Sequence, residues 1–146
     1  MHFLCATHRR QLLQLAADKQ SAIWQQWLHQ GAVHYELGDW REASAWLGCA
    51  FDLACHSLRV NDDSPLRLTL AALYLANTLR HLGEADKADC ALALAWRLLQ
   101  VQHARQGEEG LSDCAHVLLD PNSHAPFFQR YLNLPFVAPL PGRVLH

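Results

Sequence analysis

Prolines are absent from residues 1–64 of this 146-residue chain, a single one stands at Pro65, and the other five fall between Pro121 and Pro141. A long stretch without proline, rich in Leu, Ala, Gln, Trp and His, can run as helix with its hydrogen-bond ladder unbroken. Segments with period-two alternation, or with clustered Val, Ile and Thr, are scarce, so strands are not expected. The pattern predicts an all-α chain whose last residues, "PFVAPLPGRVLH", are extended and polyproline-like.

Local chemistry places the helix boundaries. A first helix is expected over about 7–18, with Leu12, Leu13, Leu15 and Ala16 as its apolar stripe. A second covers about 21–37, where Ile23, Trp24, Trp27, Leu28 and Gly31 recur at helical steps and Gly38 stops it. Asp39 and Glu42 in "DWRE" form a capping box for a third helix carrying Ala43, Trp46, Leu47, Ala50, Phe51 and Ala54. Ser64 and Pro65 start a fourth, 65–82, apolar on nearly every side. Gly83 ends that one, and its partner runs to about 105 before "GEEG". A short helix over 112–119, a turn at "DPNSHAP" and a last helical piece at "PFFQRYL" complete the reading. The expected organisation is one helical domain, 1–133, and an extended apolar tail, 134–146.

Hydrophobic residues make up 51% of the chain, enough for a packed core without staples. Twelve Lys and Arg against fourteen Asp and Glu leave a net charge of −2, and the longest basic run is Arg9-Arg10. No field therefore favours nucleic acid or an anionic membrane as a partner. No apolar run approaches the ~18–20 residues of a membrane span. The N-terminus lacks the charge-then-apolar order of a signal peptide, and five scattered cysteines suit reduced thiols. The expectation is a cytoplasmic, soluble protein with no membrane association.

Catalysis finds no support in the motifs. There is no GxSxG, no HExxH and no glycine-rich phosphate loop, while Asp62-Asp63 and Glu108-Glu109 sit in expected turns. The chain is read as a non-enzyme without a cofactor. Ten histidines and five cysteines raise a metal or redox-sensor reading, with Cys5/His8, Cys55/His56 and Cys114/His116 as the nearest pairs. Structural zinc needs four converging ligands, usually from paired knuckles, and no CxxC is present. No metal ligands are assigned, and Cys49, Cys90 and Cys114 are read as core packing.

Two segments share one plan: helix, glycine plus acidic residue, helix. Aligning Gly38 with Gly83 pairs Gly31 with Ala76, Asp39 with Glu84, Ala43 with Ala88, Leu47 with Leu92 and Ala50 with Ala95. Small residues at the first and third of these pairs let antiparallel helices approach closely. The plan resembles the tetratricopeptide repeat, with units at about 24–57 and 69–102. In the first unit Trp27, Gly31, Tyr35, "GDW", Ala43 and Ala50 carry the likeness. The second keeps Ala76, Gly83, Ala88 and Ala95. The two glycines are 45 residues apart, against 34 for that family, so the joining segment is longer.

The resemblance implies antiparallel hairpins stacked as a short solenoid with capping helices. It also implies a concave groove built from the first helix of each hairpin. Carried over by position, the groove residues are Gln25, Leu28, Ala32, Tyr35 and Glu36 in the first unit. In the second they are Leu70, Leu73, Asn77, Arg80 and His81. Family members that grip a terminal carboxylate spread Lys, Asn and Arg there, and only Asn77 and Arg80 answer to that set. An apolar peptide or amphipathic helix fits better, making the chain an adaptor or chaperone-like module that binds another protein. The alternative is an oligomeric structural or regulatory subunit that self-associates through helix 65–82 and the tail. The tail itself, with Phe136, Val137, Leu140 and Val144, is too apolar for a typical solvated end.

Overall fold

The computed structural model describes residues 3–58, 64–106, 114 and 116–132. The tail at 134–146, the "GEEG" stop and most of the break before Ser64 lie outside the described residues. Within them the chain is helical, with no strand. In chain order the helices are α1 Ala6–Leu13, α2 Ala17–Glu36, α3 Trp40–His56, α4 Ser64–His81, α5 Ala85–Gln106 and α6 Pro121–Leu132. A short helical stretch at 116–119 precedes α6.

The two hairpins turn in the same way, hydrogen bond for hydrogen bond. At the end of α2, Gly38 N–H donates to Tyr35 O (3.1 Å) and Asp39 N–H to His34 O (2.9 Å). At the end of α4, Gly83 N–H donates to Arg80 O (3.0 Å) and Glu84 N–H to Leu79 O (2.9 Å). Both are Schellman ends, which need a left-handed residue after the last turn. Gly38 and Gly83 supply it at φ +74° and +76°, where a β-carbon would be strained. Asp39 then caps α3 by accepting the Glu42 N–H (3.5 Å). The reciprocal half of the expected box is not made: the Asp39 N–H is already taken by His34 O.

Close approach follows from small residues. Ala43, Ala50, Ala88 and Ala95 are all fully buried, at the inner faces of α3 and α5. A β-carbon added at Gly31 would lie 2.5 Å from Leu47 Cδ2 and 2.6 Å from its Cγ. The aligned position in the second hairpin tolerates Ala76, itself buried. α2 packs on α3, α3 on α4, α4 on α5, and α6 lies against α4. Placed between these neighbours, α4 buries every residue from Leu68 to Leu79. That burial is the reason its sequence is apolar all round, and it leaves little of this helix to face a second copy of the chain.

Three expected boundaries are corrected. α1 ends at Leu13 and α2 starts at Ala17, four residues before the expected 21. The early start is organised by Gln20, only 2% exposed, whose Nε2 donates to Leu13 O (3.2 Å) and Leu15 O (2.9 Å). One amide thus satisfies carbonyls left open where α1 stops. The "DPNSHAP" turn is instead the start of α6. Asp120 Oδ1 accepts from Asn122 N–H (3.1 Å) and its Oδ2 from Ser123 Oγ (2.8 Å), an N-cap followed by Pro121 at the first helical position. Cys90 lies exposed on α5 and not in the core.

The amino-terminal end is fastened by Asp52, a buried carboxylate on α3. Its Oδ2 accepts the backbone N–H of Phe3 (3.1 Å) and of Leu4 (2.9 Å). The Phe3 ring fills the notch that Gly48 leaves on the same helix, and Leu4 joins the core. Hydrogen bonds to a charged acceptor are worth about 1.5–3 kcal/mol each way they are lost. Asp52→Ala is therefore expected to free this end, with trypsin cutting after Arg9 and Arg10 several-fold faster than in the parent chain. An unchanged cleavage rate would mean that α1 is held by its apolar contacts alone.

Candidate functional site

The face of α2 that turns away from α3 borders a cavity of about 400 Å³. Its lining is Gln25, Leu28, His29, Ala32, Val33 and Glu36 from α2, with Tyr74 of α4. These α2 positions recur at three- and four-residue steps, so one stripe of a single helix supplies them. Leu28, Ala32 and Val33 make it apolar, Gln25, His29 and Glu36 add polarity, and Tyr74, itself fully buried, lies beneath it. Glu36 is the one formally charged group in this lining at neutral pH. The Tyr74 hydroxyl is pushed well above its ordinary value, first by burial and then by Tyr35 and the Glu36 carboxylate. It therefore stays a neutral phenol beside an anionic rim.

A second, smaller hollow of about 190 Å³ lies between α4, α5 and α6. Leu73, Ala76, Asn77 and Arg80 border it, with Leu92, Pro121 and His124 opposite. Arg80 is tied to Asp89 of α5 at 2.6 Å. His124 approaches Leu118 O at 3.3 Å, and burial lowers its pKa despite the two backbone carbonyls beside it.

The ten residues expected to share one groove are thus divided. Gln25, Leu28, Ala32 and Glu36 line the first cavity; Leu73, Asn77 and Arg80 line the second. Leu70 is buried at 6% exposure. Tyr35 and His81 belong to the seam that joins the hairpins. Tyr35 is 2% exposed and sits edge-on to both Trp40 (5.1 Å) and Tyr74 (4.9 Å). Its hydroxyl accepts from Asn77 Nδ2, and His81 stacks flat on Trp40 at 3.8 Å. The groove assignment missed His29, Val33 and Tyr74 in the first cavity. The signal was available for two of them: His29 and Val33 fall four and eight residues after Gln25 on the same stripe.

The cysteine and histidine pairs serve other ends. Cys5 caps α1, its sulfur accepting the His8 N–H at 3.4 Å. His56 turns to Asp52, with Nδ1 at 3.5 Å from Oδ1. Among the described residues no group of three or more His, Cys, Asp or Glu is placed to hold a metal ion, and no helix is long and apolar enough to cross a membrane. Burial pushes the Cys55 thiol up to about 12, helped by the Asp52 charge. Cys49 is raised for the same two reasons. The thiolate is the nucleophile, and at pH 8 a thiol at about 12 holds ~10⁻⁴ of it, against ~0.1 at the ordinary 9.0. Iodoacetamide at pH 8 is expected to label exposed Cys5 and Cys90 first, with Cys55 slower by orders of magnitude because burial keeps its thiol protonated. Mass mapping of the labelled peptides checks the order; early labelling of Cys55 would show that its surroundings open.

Compared with protein-family models, with curated proteins and with solved structures, the chain matches none.

Proposed function

We propose that the chain is a protein–protein interaction module of tetratricopeptide-like design, adaptor or chaperone-like and not an enzyme. The partner offers an apolar peptide or helix to the cavity between α2 and α4. The observation that carries this reading is the cavity itself. It is about 400 Å³, within the ~300–1,000 Å³ typical of ligand pockets, and it lies where the first helices of two matching hairpins face one another. Apolar walls with a few polar groups at the edge suit side-chain anchors better than a reactive substrate. Two hairpins with identical turns and the same small-residue seams support the repeat-like design.

Val33 offers the cleanest test, since it is 40% exposed and its replacement leaves the core alone. Random dodecapeptides displayed on phage are selected on the parent chain and their affinities measured. Val33→Asp is expected to weaken the selected peptides about tenfold, ~1.4 kcal/mol, with helical circular dichroism unchanged. Peptides that bind Val33→Asp as tightly as the parent would overturn the cavity as the binding site.

A further inference from the structure

We propose that the face of α4 beneath α6 is a second docking surface for an amphipathic helix, and that α6 is its built-in occupant, which a partner's helix displaces. This rests on the two hairpins being a peptide-binding scaffold.

The repeat alignment puts the two faces in register. Leu28 and Ala32, in the wall of the first cavity, stand 45 residues before Leu73 and Asn77, which border the second hollow. That is also the spacing of Gly38 and Gly83. Equivalent positions of α2 and α4 thus border a cavity in one hairpin and α6 in the other. Pro121 and His124 of α6 lie across the hollow from Leu73, Ala76 and Asn77.

The seated helix shows what such a face accepts. His124 and Phe127, three residues apart on α6, are both partly buried, and Phe127 packs against the core. Asn122, Ala125 and Arg130 of the same helix are exposed. An aromatic-bearing stripe on an otherwise solvated helix is the helix-in-groove mode of recognition. The partner chemistry that fits is therefore an amphipathic helix with an aromatic anchor.

Three features make α6 displaceable. A hollow of about 190 Å³ stays between it and the helices below, whereas a well-packed interior leaves few spaces larger than a water molecule. Pro126 lies inside the helix and has no N–H to give to Asn122 O, so the ladder loses a rung. The first turn leans instead on Asp120, whose carboxylate accepts from Asn122 N–H and Ser123 Oγ. A tethered helix of this kind competes at high effective concentration. A partner's affinity then scales with the fraction of molecules in which α6 has lifted.

The experiment adds a synthetic peptide of residues 116–132, carrying p-benzoylphenylalanine in place of Phe127, to the full chain far below saturation. After irradiation the crosslinks are mapped by mass spectrometry. Crosslinks to residues 73–80 or to Leu92 are expected. Asp120→Ala in the full chain removes the cap of its own α6 and is expected to raise their yield about fivefold. Pro126→Ala supplies the missing N–H and is expected to lower the yield by about tenfold or more. Both positions are exposed, so neither change disturbs the core. No crosslink at this face in any of the three chains, or one yield common to all three, would overturn the proposal. Crosslinks confined to residues 25–36 would overturn it as well and leave the first cavity as the peptide site. If the yield follows both variants while the phage-selected peptides ignore Val33, the second surface stands and the first-cavity reading fails.

Discussion

Tyr35→Ala is expected to lower the free energy of unfolding by ~3–5 kcal/mol, the largest effect of any single change considered. The ring lies at 2% exposure and touches Trp40 and Tyr74 edge-on, contacts worth ~0.5–1.5 kcal/mol each beyond the buried area. Its hydroxyl also receives Asn77 Nδ2 across a sequence distance of 42 residues. Removing the ring opens a hole between the hairpins and takes an acceptor from a buried amide. Tyr35→Phe keeps the ring and loses only the hydroxyl, so it should cost nearer 1 kcal/mol. Urea denaturation followed by circular dichroism separates the two. A Tyr35→Ala chain that unfolds at the parent's midpoint would mean that the hairpins are not joined through this residue. The same comparison shows why Tyr35 is a poor probe of partner binding: lost capture would report lost folding.

Gly31→Val is the second large effect, at ~2–3 kcal/mol. Its added carbons would start 2.5 Å from Leu47 Cδ2, and Leu47 is fully buried, so the leucine has nowhere to turn. α2 must then back away from α3, along with the cavity residues it carries. The intrinsic helix preference runs the other way, because glycine is a poorer helix former than other residues by up to ~1 kcal/mol. The sign of the net change therefore measures packing. Gly38→Ala is the control. Nothing lies within 4 Å of a β-carbon there, and the only cost is the positive φ, about 1–2 kcal/mol. Thermal melts rank the three chains. A Gly31→Val chain as stable as the parent would show that the α2/α3 seam is loose enough to absorb three carbons.

Local signals in the sequence located the turns well, because a Schellman end is a property of a few adjacent residues. Gly38, Gly83, the Asp39 cap and Pro65 all mark helix ends within a residue or two. The Asp120–Pro121 start of α6 was equally local, yet two prolines so close together in "DPNSHAP" read as a turn. Asp52 and Gln20 were not legible. Each is a polar residue in a helical run, and its role depends on chain segments 48 and 5–7 residues away. The groove residues fell between these cases. Carrying them over by repeat position selects α2, and four of the five there line the cavity. Tyr35 lies next to Glu36 in sequence but about 100° around the helix from it. That one step turns a lining residue into a core residue.

The helices lean on one another in series, α2 to α3 to α4 to α5, with α1 against α3, where the Asp52 carboxylate ties down the residues just ahead of it. A molecule built this way behaves as a short zipper: its ends can come undone while the middle stays shut. Opening is dearest at α4, which is clasped by helices on several sides and buries every residue from Leu68 to Leu79.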